Sequence, residues 1–208
     1  MKFVLFIVFA FTTLSLCGQS NDVDLVKKAF ADYKSAILND QAEKALSVVD
    51  SRTKHYYTQI LNDVKSADSA KINSLSIVDK ITILSIRSKA SKDEILKMKD
   101  TDAFIFAVNN GMVGKNSVAG NSVGKITIDG NFAKAQLVAS GQATDLYFNF
   151  YNEDKQWKLD LTALFPLTKQ VFKKMIDDSG KSENEFLFNV LEALTGKKIS
   201  PEIWKPIM

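Results

Sequence analysis

Catalytic chemistry has few sources in this chain, which holds one histidine and one cysteine among 208 residues. His55 stands in Lys54-His55-Tyr56-Tyr57 on a helical pattern. It could act as a general base in a pocket; the plainer reading is a surface or boundary histidine. Asp160 alternates with Trp157, Leu159 and Leu161, so on a strand it faces away from that apolar triplet. An acid at a pocket floor can take a proton if burial raises its pKa. The ordinary alternative is a solvated carboxylate, or a partner for Lys158. Asp79 and Arg87 interrupt an apolar segment. Eight residues apart on a helix they share a face but stand ~12 Å apart, too far to pair. Each then needs another partner: capping of neighbouring elements, or for Arg87 a ligand anion. Tyr147, Phe148, Phe150 and Tyr151 alternate along one strand, so one pair faces the helices. The other pair could line a cavity or dock a partner. Trp204 either packs back on the fold or anchors a partner.

Several classes fall away. One His and one Cys cannot build a His/Cys zinc site or a disulfide within the chain. Gly111, Gly114, Gly120 and Gly124 do not spell a phosphate-binding loop, and no EF-hand spacing occurs. No cofactor is expected. Lys and Arg number 27 against 24 Asp and Glu, a net charge of +3 without a basic stripe, so no nucleic acid is expected as partner. With 46% hydrophobic and 25% charged residues, the composition is that of an ordinary globular chain.

The first 18 residues read as a secretory signal peptide: Lys2, the apolar run Phe3–Phe11, then a small-residue exit ending Cys17-Gly18. The uncharged stretch is shorter than the ~20 residues a spanning helix needs. Leu14-Ser15-Leu16-Cys17 resembles a lipobox with Leu16 where a small residue is expected, so Cys17 is a candidate lipidation site. Ordinary cleavage after Cys17 or Gly18 is the alternative. Export to periplasm, cell envelope or exterior is expected, with membrane contact only through such an anchor. Residues 19–208 are read as one domain, long enough for a single core.

The elements that must position these residues follow from periodicity. Val23, Val26, Ala29, Phe30, Tyr33 and Ile37 mark a first helix. Asp40-Gln41-Ala42-Glu43 has capping-box spacing for a second, and Asp50-Ser51 opens a third. The segment 75–87 reads as a buried helix despite its β-branched content. Ser91-Lys92-Asp93-Glu94 is another capping box, and Thr101 caps a helix over 102–109. Residues 114–121 read as a Gly/Asn/Ser loop. Four strands follow, over 123–128, 132–139, 144–151 and 156–161, with Asp129-Gly130 as a hairpin turn. Pro166 and the capping box Ser182-Glu183-Asn184-Glu185 open two further helices, with a last turn at Ser200-Pro201. The expected class is α+β: N-terminal helices packed on a four-stranded curved antiparallel β-meander, with helices 166–206 as an extension.

Helices followed by a meander ending in Gln156-Trp157-Lys158-Leu159-Asp160 resemble the NTF2-like (cone-shaped α+β) superfamily. Asp40-Gln41-Ala42-Glu43-Lys44-Ala45-Leu46 is similar to that family's second helix. The resemblance covers about residues 22–163 and implies a sheet wrapped around a pocket closed by the N-terminal helices. The family includes isomerases, dehydratases and non-catalytic binding modules, so fold alone does not give function. Three readings stand. The first is an exported non-catalytic module that binds a small apolar ligand or an envelope protein through the concave sheet face, with Tyr147, Phe148, Tyr151 and Arg87 as ligand-binding residues. The second is a cone-fold isomerase or dehydratase using Asp160 or His55 with Tyr147 or Tyr151. The third is a structural or interaction protein anchored by a lipid on Cys17.

Overall fold

The structure, a computed structural model, describes residues 16–113 and 115–208, with side chains from residue 21 onward. Residues 1–15 of the expected leader, the Cys17 side chain and Gly114 of the glycine-rich segment lie outside the described residues. The fold is α+β, as the patterning predicts.

Four strands, β1 (Asn121–Asp129), β2 (Phe132–Ala139), β3 (Gln142–Glu153) and β4 (Gln156–Asp160), form an antiparallel meander in sequence order. The β3–β4 turn uses Asp154 (φ 51°) and Lys155 (φ 64°), the left-handed pair that matches the twist of two antiparallel strands. Strand alternation sends Ala133, Ala135, Phe148, Phe150, Trp157 and Leu159 to one face. There they meet Val26, Phe30, Tyr33 and Ile37 of helix α1 (Leu16–Leu38), with the Phe30 and Phe148 rings 4.9 Å apart. Helix α2 (Ala42–Val48) follows, and Val49 bridges Leu159 in parallel, covering the outer edge of β4.

A second layer is all helix. It holds α3 (Ser51–Ser66), α4 (Ser69–Ser74), α5 (Ile77–Lys89), α6 (Lys92–Lys97) and α7 (Asp102–Asn109), while the one-turn α8 (Asn116–Ala119) lies against α1 and β1 with Val118 in the sheet-side core. After the sheet come α9 (Phe165–Ser179), α10 (Glu183–Thr195) and a 3-10 turn at Pro201–Trp204. Ile60, Leu61, Val64, Ile72, Ile83, Leu84, Ile86 and Leu191 build its core. Tyr57 packs against both cores, its ring 5.0 Å from Phe104 and 5.2 Å from Tyr56.

The boundaries differ from expectation in four places. Asp40 does not form a capping box: it takes a left-handed φ of 55° and its carboxylate pairs with Lys115 at 2.6 Å. Gln41 caps α2 without its side chain. Thr101 likewise lends no side-chain cap to α7; the Asp102 carboxylate accepts from the Lys99 amide at 2.8 Å instead. Helix α4 is additional, nucleated by Asp68, which accepts from the Lys71 amide at 2.8 Å. The expected loop over 114–121 holds α8 and the first residue of β1. The boxes at Ser91 and Ser182 form as read.

Candidate functional site

The residues singled out by type are held apart. His55 is exposed on α3. Asp160 is buried rather than solvated: its Oδ1 accepts from the Thr162 amide (2.9 Å) and hydroxyl and from the Ala163 amide (3.3 Å), capping the 3-10 turn at Thr162–Leu164. Phe148 and Tyr147 are neighbours on a strand and so point to opposite faces. Phe148 belongs to the core beneath α1. Tyr147 and Tyr151 point outward, each under a cation: Lys134 Nζ lies 4.4 Å from the Tyr147 ring centroid, Arg52 Cζ 3.6 Å from that of Tyr151. No hydrogen bond joins His55, Asp160, Tyr147 and Tyr151 to one another among the described residues.

Arg87 is a cap for another element. Its guanidinium donates to Val64 O (2.9 Å), Asp63 O (3.1 Å) and Ala67 O (2.7 Å) at the end of α3, and to Ile203 O (3.0 Å). Burial lowers its pKa, which the nearby Asp63 carboxylate partly offsets. Those carbonyls are the negative end of the α3 dipole, so they provide the partner that a buried cation requires.

Chemistry converges elsewhere, in a cleft of about 420 Å³ between α3, α4 and α5. Tyr56, Gln59, Ile60 and Asp63 of α3 follow i, i+3, i+4, i+7 spacing and share one helix face. Helix α4 contributes Lys71, Leu75 follows it, and Asp79 comes from the first turn of α5. Ser76 caps α5: its hydroxyl accepts from the Asp79 amide (3.4 Å) and donates to Asp79 Oδ2 (2.6 Å). The other carboxylate oxygen, Oδ1, accepts from the Tyr56 hydroxyl at 3.1 Å. Burial first, and the Asp79 charge second, push the Tyr56 phenol well above its ordinary pKa. Tyr56 is therefore a fixed donor that orients Asp79, not an acid–base group at neutral pH. Ile60 and Leu75 supply apolar surface between these polar groups.

The volume lies within the ~300–1,000 Å³ range of small-molecule sites, but the lining is more polar than is usual for them: Ile60, Leu75 and the Tyr56 ring are its apolar parts. Among the described residues no group of three or more His, Cys, Asp or Glu could hold a metal ion, and no helix is long and apolar enough to cross a membrane.

Of this cleft, sequence reasoning had singled out only Asp79 for its chemistry, as a charge on an apolar helix. Gln59, Asn62, Asp63 and Lys71 were missed. The signal that could have found them is the polar spacing of Gln59 and Asp63 beside Tyr56, but nothing in that spacing says which helix lies opposite. No protein-family model, curated protein or solved structure matches the chain.

Proposed function

We propose that this protein is a non-catalytic binding module whose small-molecule site is the α3–α4–α5 cleft. The carrying observation is the Tyr56–Asp79–Ser76 chain, which fixes a carboxylate in a partly apolar cleft without placing a proton-transfer group beside it. A ligand inside the sheet has less support, because Phe30, Tyr33, Phe148, Phe150 and Trp157 pack on one another there. An isomerase-like site has less as well, since Asp160 is occupied as a cap. We read α1, α2 and the meander as an NTF2-like core, supported by the helix-lined sheet and the Val49–Leu159 bridge.

The test is amide NMR of residues 19–208 against a library of small polar fragments. Shifts centred on Gln59, Asn62, Lys71 and Leu75 are expected. Shifts confined to the outer sheet face around Tyr147 would overturn the cleft. They would favour the second reading, a protein partner on that face, which the 38% exposure of Tyr147 supports. Export through residues 1–18 is part of the proposal. N-terminal sequencing from the cell envelope should begin at Gly18 or Gln19, or at a blocked Cys17 if that residue carries lipid. An intact Met1 in the cytosol would overturn it.

A further inference from the structure

A second cavity, of about 320 Å³, lies between α1, the end of α2 and the start of β4. Its wall on α1 is Leu25, Lys28, Ala29 and Asp32, whose i, i+3, i+4, i+7 spacing places them on one helix face. Val48 closes α2 there, and residues 155–158 come from the β3–β4 turn and β4. Trp157 is buried and its indole N–H donates to Asp22 Oδ1 at 3.0 Å, so the ring is fixed in the wall. Leu25, on the same wall, stays 39% exposed. Charge in this wall is unbalanced. Lys28, Lys155 and Lys158 stand against one carboxylate, Asp32, which already pairs with Lys28 at 2.6 Å. Lys155 makes no hydrogen bond or ion pair among the described residues. Lys158 Nζ donates to Ser47 O and to Gln156 Oε1 (2.6 Å), which leaves one of its three N–H groups over. Burial first and the Lys54 charge second lower the Lys158 pKa, and Glu153 and Asp154 offset this in part.

We infer that this cavity binds a small organic acid: its carboxylate is held by the lysines, and its apolar body lies on Leu25, Ala29, Val48 and Trp157. Charge complementarity sets the sign of the ligand. A carboxylate gives the spare N–H of Lys158 and the unpaired Lys155 an acceptor, and hydrogen bonds between charged groups are about twice as strong as neutral ones. An ammonium ligand would add a fourth cation and find the one carboxylate of the wall already paired. A neutral ligand gains the apolar contact alone, and an anion without a body gains the charge alone. The site shares no residue with the α3–α4–α5 cleft and does not depend on it.

Four probes separate charge from body: 3-phenylpropanoate, 3-phenylpropan-1-ol, 3-phenylpropylamine and acetate. The readout is the indole N–H resonance of Trp157 in NMR titrations of the full mature chain at pH 7. The chain has two tryptophans, so Trp204→Phe identifies that resonance. The aromatic acid should move it and bind about tenfold tighter than the alcohol or acetate, and the amine should bind more weakly than the alcohol. Lys155→Glu should weaken the acid about tenfold and leave the alcohol unchanged. Lys155 is exposed, so the thermal transition of that variant should stay in place. Leu25→Ser should weaken acid and alcohol together. An alcohol that binds as tightly as the acid, an acid indifferent to Lys155→Glu, or a Trp157 resonance unmoved by about 10 mM acid overturns the inference. None of these outcomes touches the binding-module reading, whose test reads Gln59, Asn62, Lys71 and Leu75.

Discussion

The guanidinium of Arg87 spans the end of α3 and the last turn of the chain, and its four hydrogen bonds go to backbone carbonyls. At the level of the residue this explains why a cation is tolerated at a buried position of α5. Removing it strands several buried acceptors at once, each costing ~1–3 kcal/mol. Arg87→Ala should therefore lower unfolding stability by about 3 kcal/mol or more in urea titration, and Arg87→Lys should recover only part, since a point charge cannot fork to four oxygens. A loss below about 1 kcal/mol would show that these carbonyls find other partners. Asp160 teaches the same lesson in reverse. Its alternation on β4 reads as a polar outward position, yet the chain turns directly after it. The carboxylate is drawn in to cap Thr162 and Ala163. What local pattern cannot report is whether the neighbouring turn needs an acceptor.

At the level of the element, the helix starts were the most legible features. Ser91 and Ser182 each form reciprocal capping boxes, with Glu94 and Glu185 reaching back to the cap amides at 2.7 and 2.9 Å. These contacts close in a few residues, so spacing suffices to predict them. Donation from Ser182, hydroxyl and amide, holds the Glu185 carboxyl below its ordinary pKa. A depressed carboxylate pKa contributes stability that is present above the unfolded value and lost as pH falls through the folded one. Ser182→Ala should lower Tm by about 2–4 °C at pH 7, and the deficit should shrink as acidification takes Glu185 through its lowered folded pKa and the carboxylate is lost. A pH-independent deficit would contradict this. Asp40 shows the limit of the same spacing. The box it suggests is given up because Asp40 takes a left-handed backbone and pairs with Lys115, a residue 75 positions away.

At the level of the whole molecule, one buried and two half-buried tyrosines are spread over the two layers. Tyr33 lies under the sheet, Tyr57 between the cores and Tyr56 at the cleft. Burial raises all three phenols, Tyr57 to about 12. The unfolded chain releases these protons near pH 10 while the fold retains them, so stability falls as pH rises above ~10. Urea midpoints measured from pH 8 to 11.5 should decline steeply in the last two units, and Tyr33→Phe should flatten the decline. An unchanged slope would mean that Tyr33 titrates normally. By itself the sequence determined the α+β class, the order of helices and meander and most element boundaries. All of these depend on periodicity and on contacts that close within a few residues. It also narrowed the chemistry, because residue types set which reactions have participants. Only the tertiary structure decided which side of β3 is core, what Arg87 and Asp160 bind, and that Tyr56, Asp63, Lys71 and Asp79 line one cleft. Those facts depend on which helix packs against which, a choice made by side-chain fit between elements far apart in the chain.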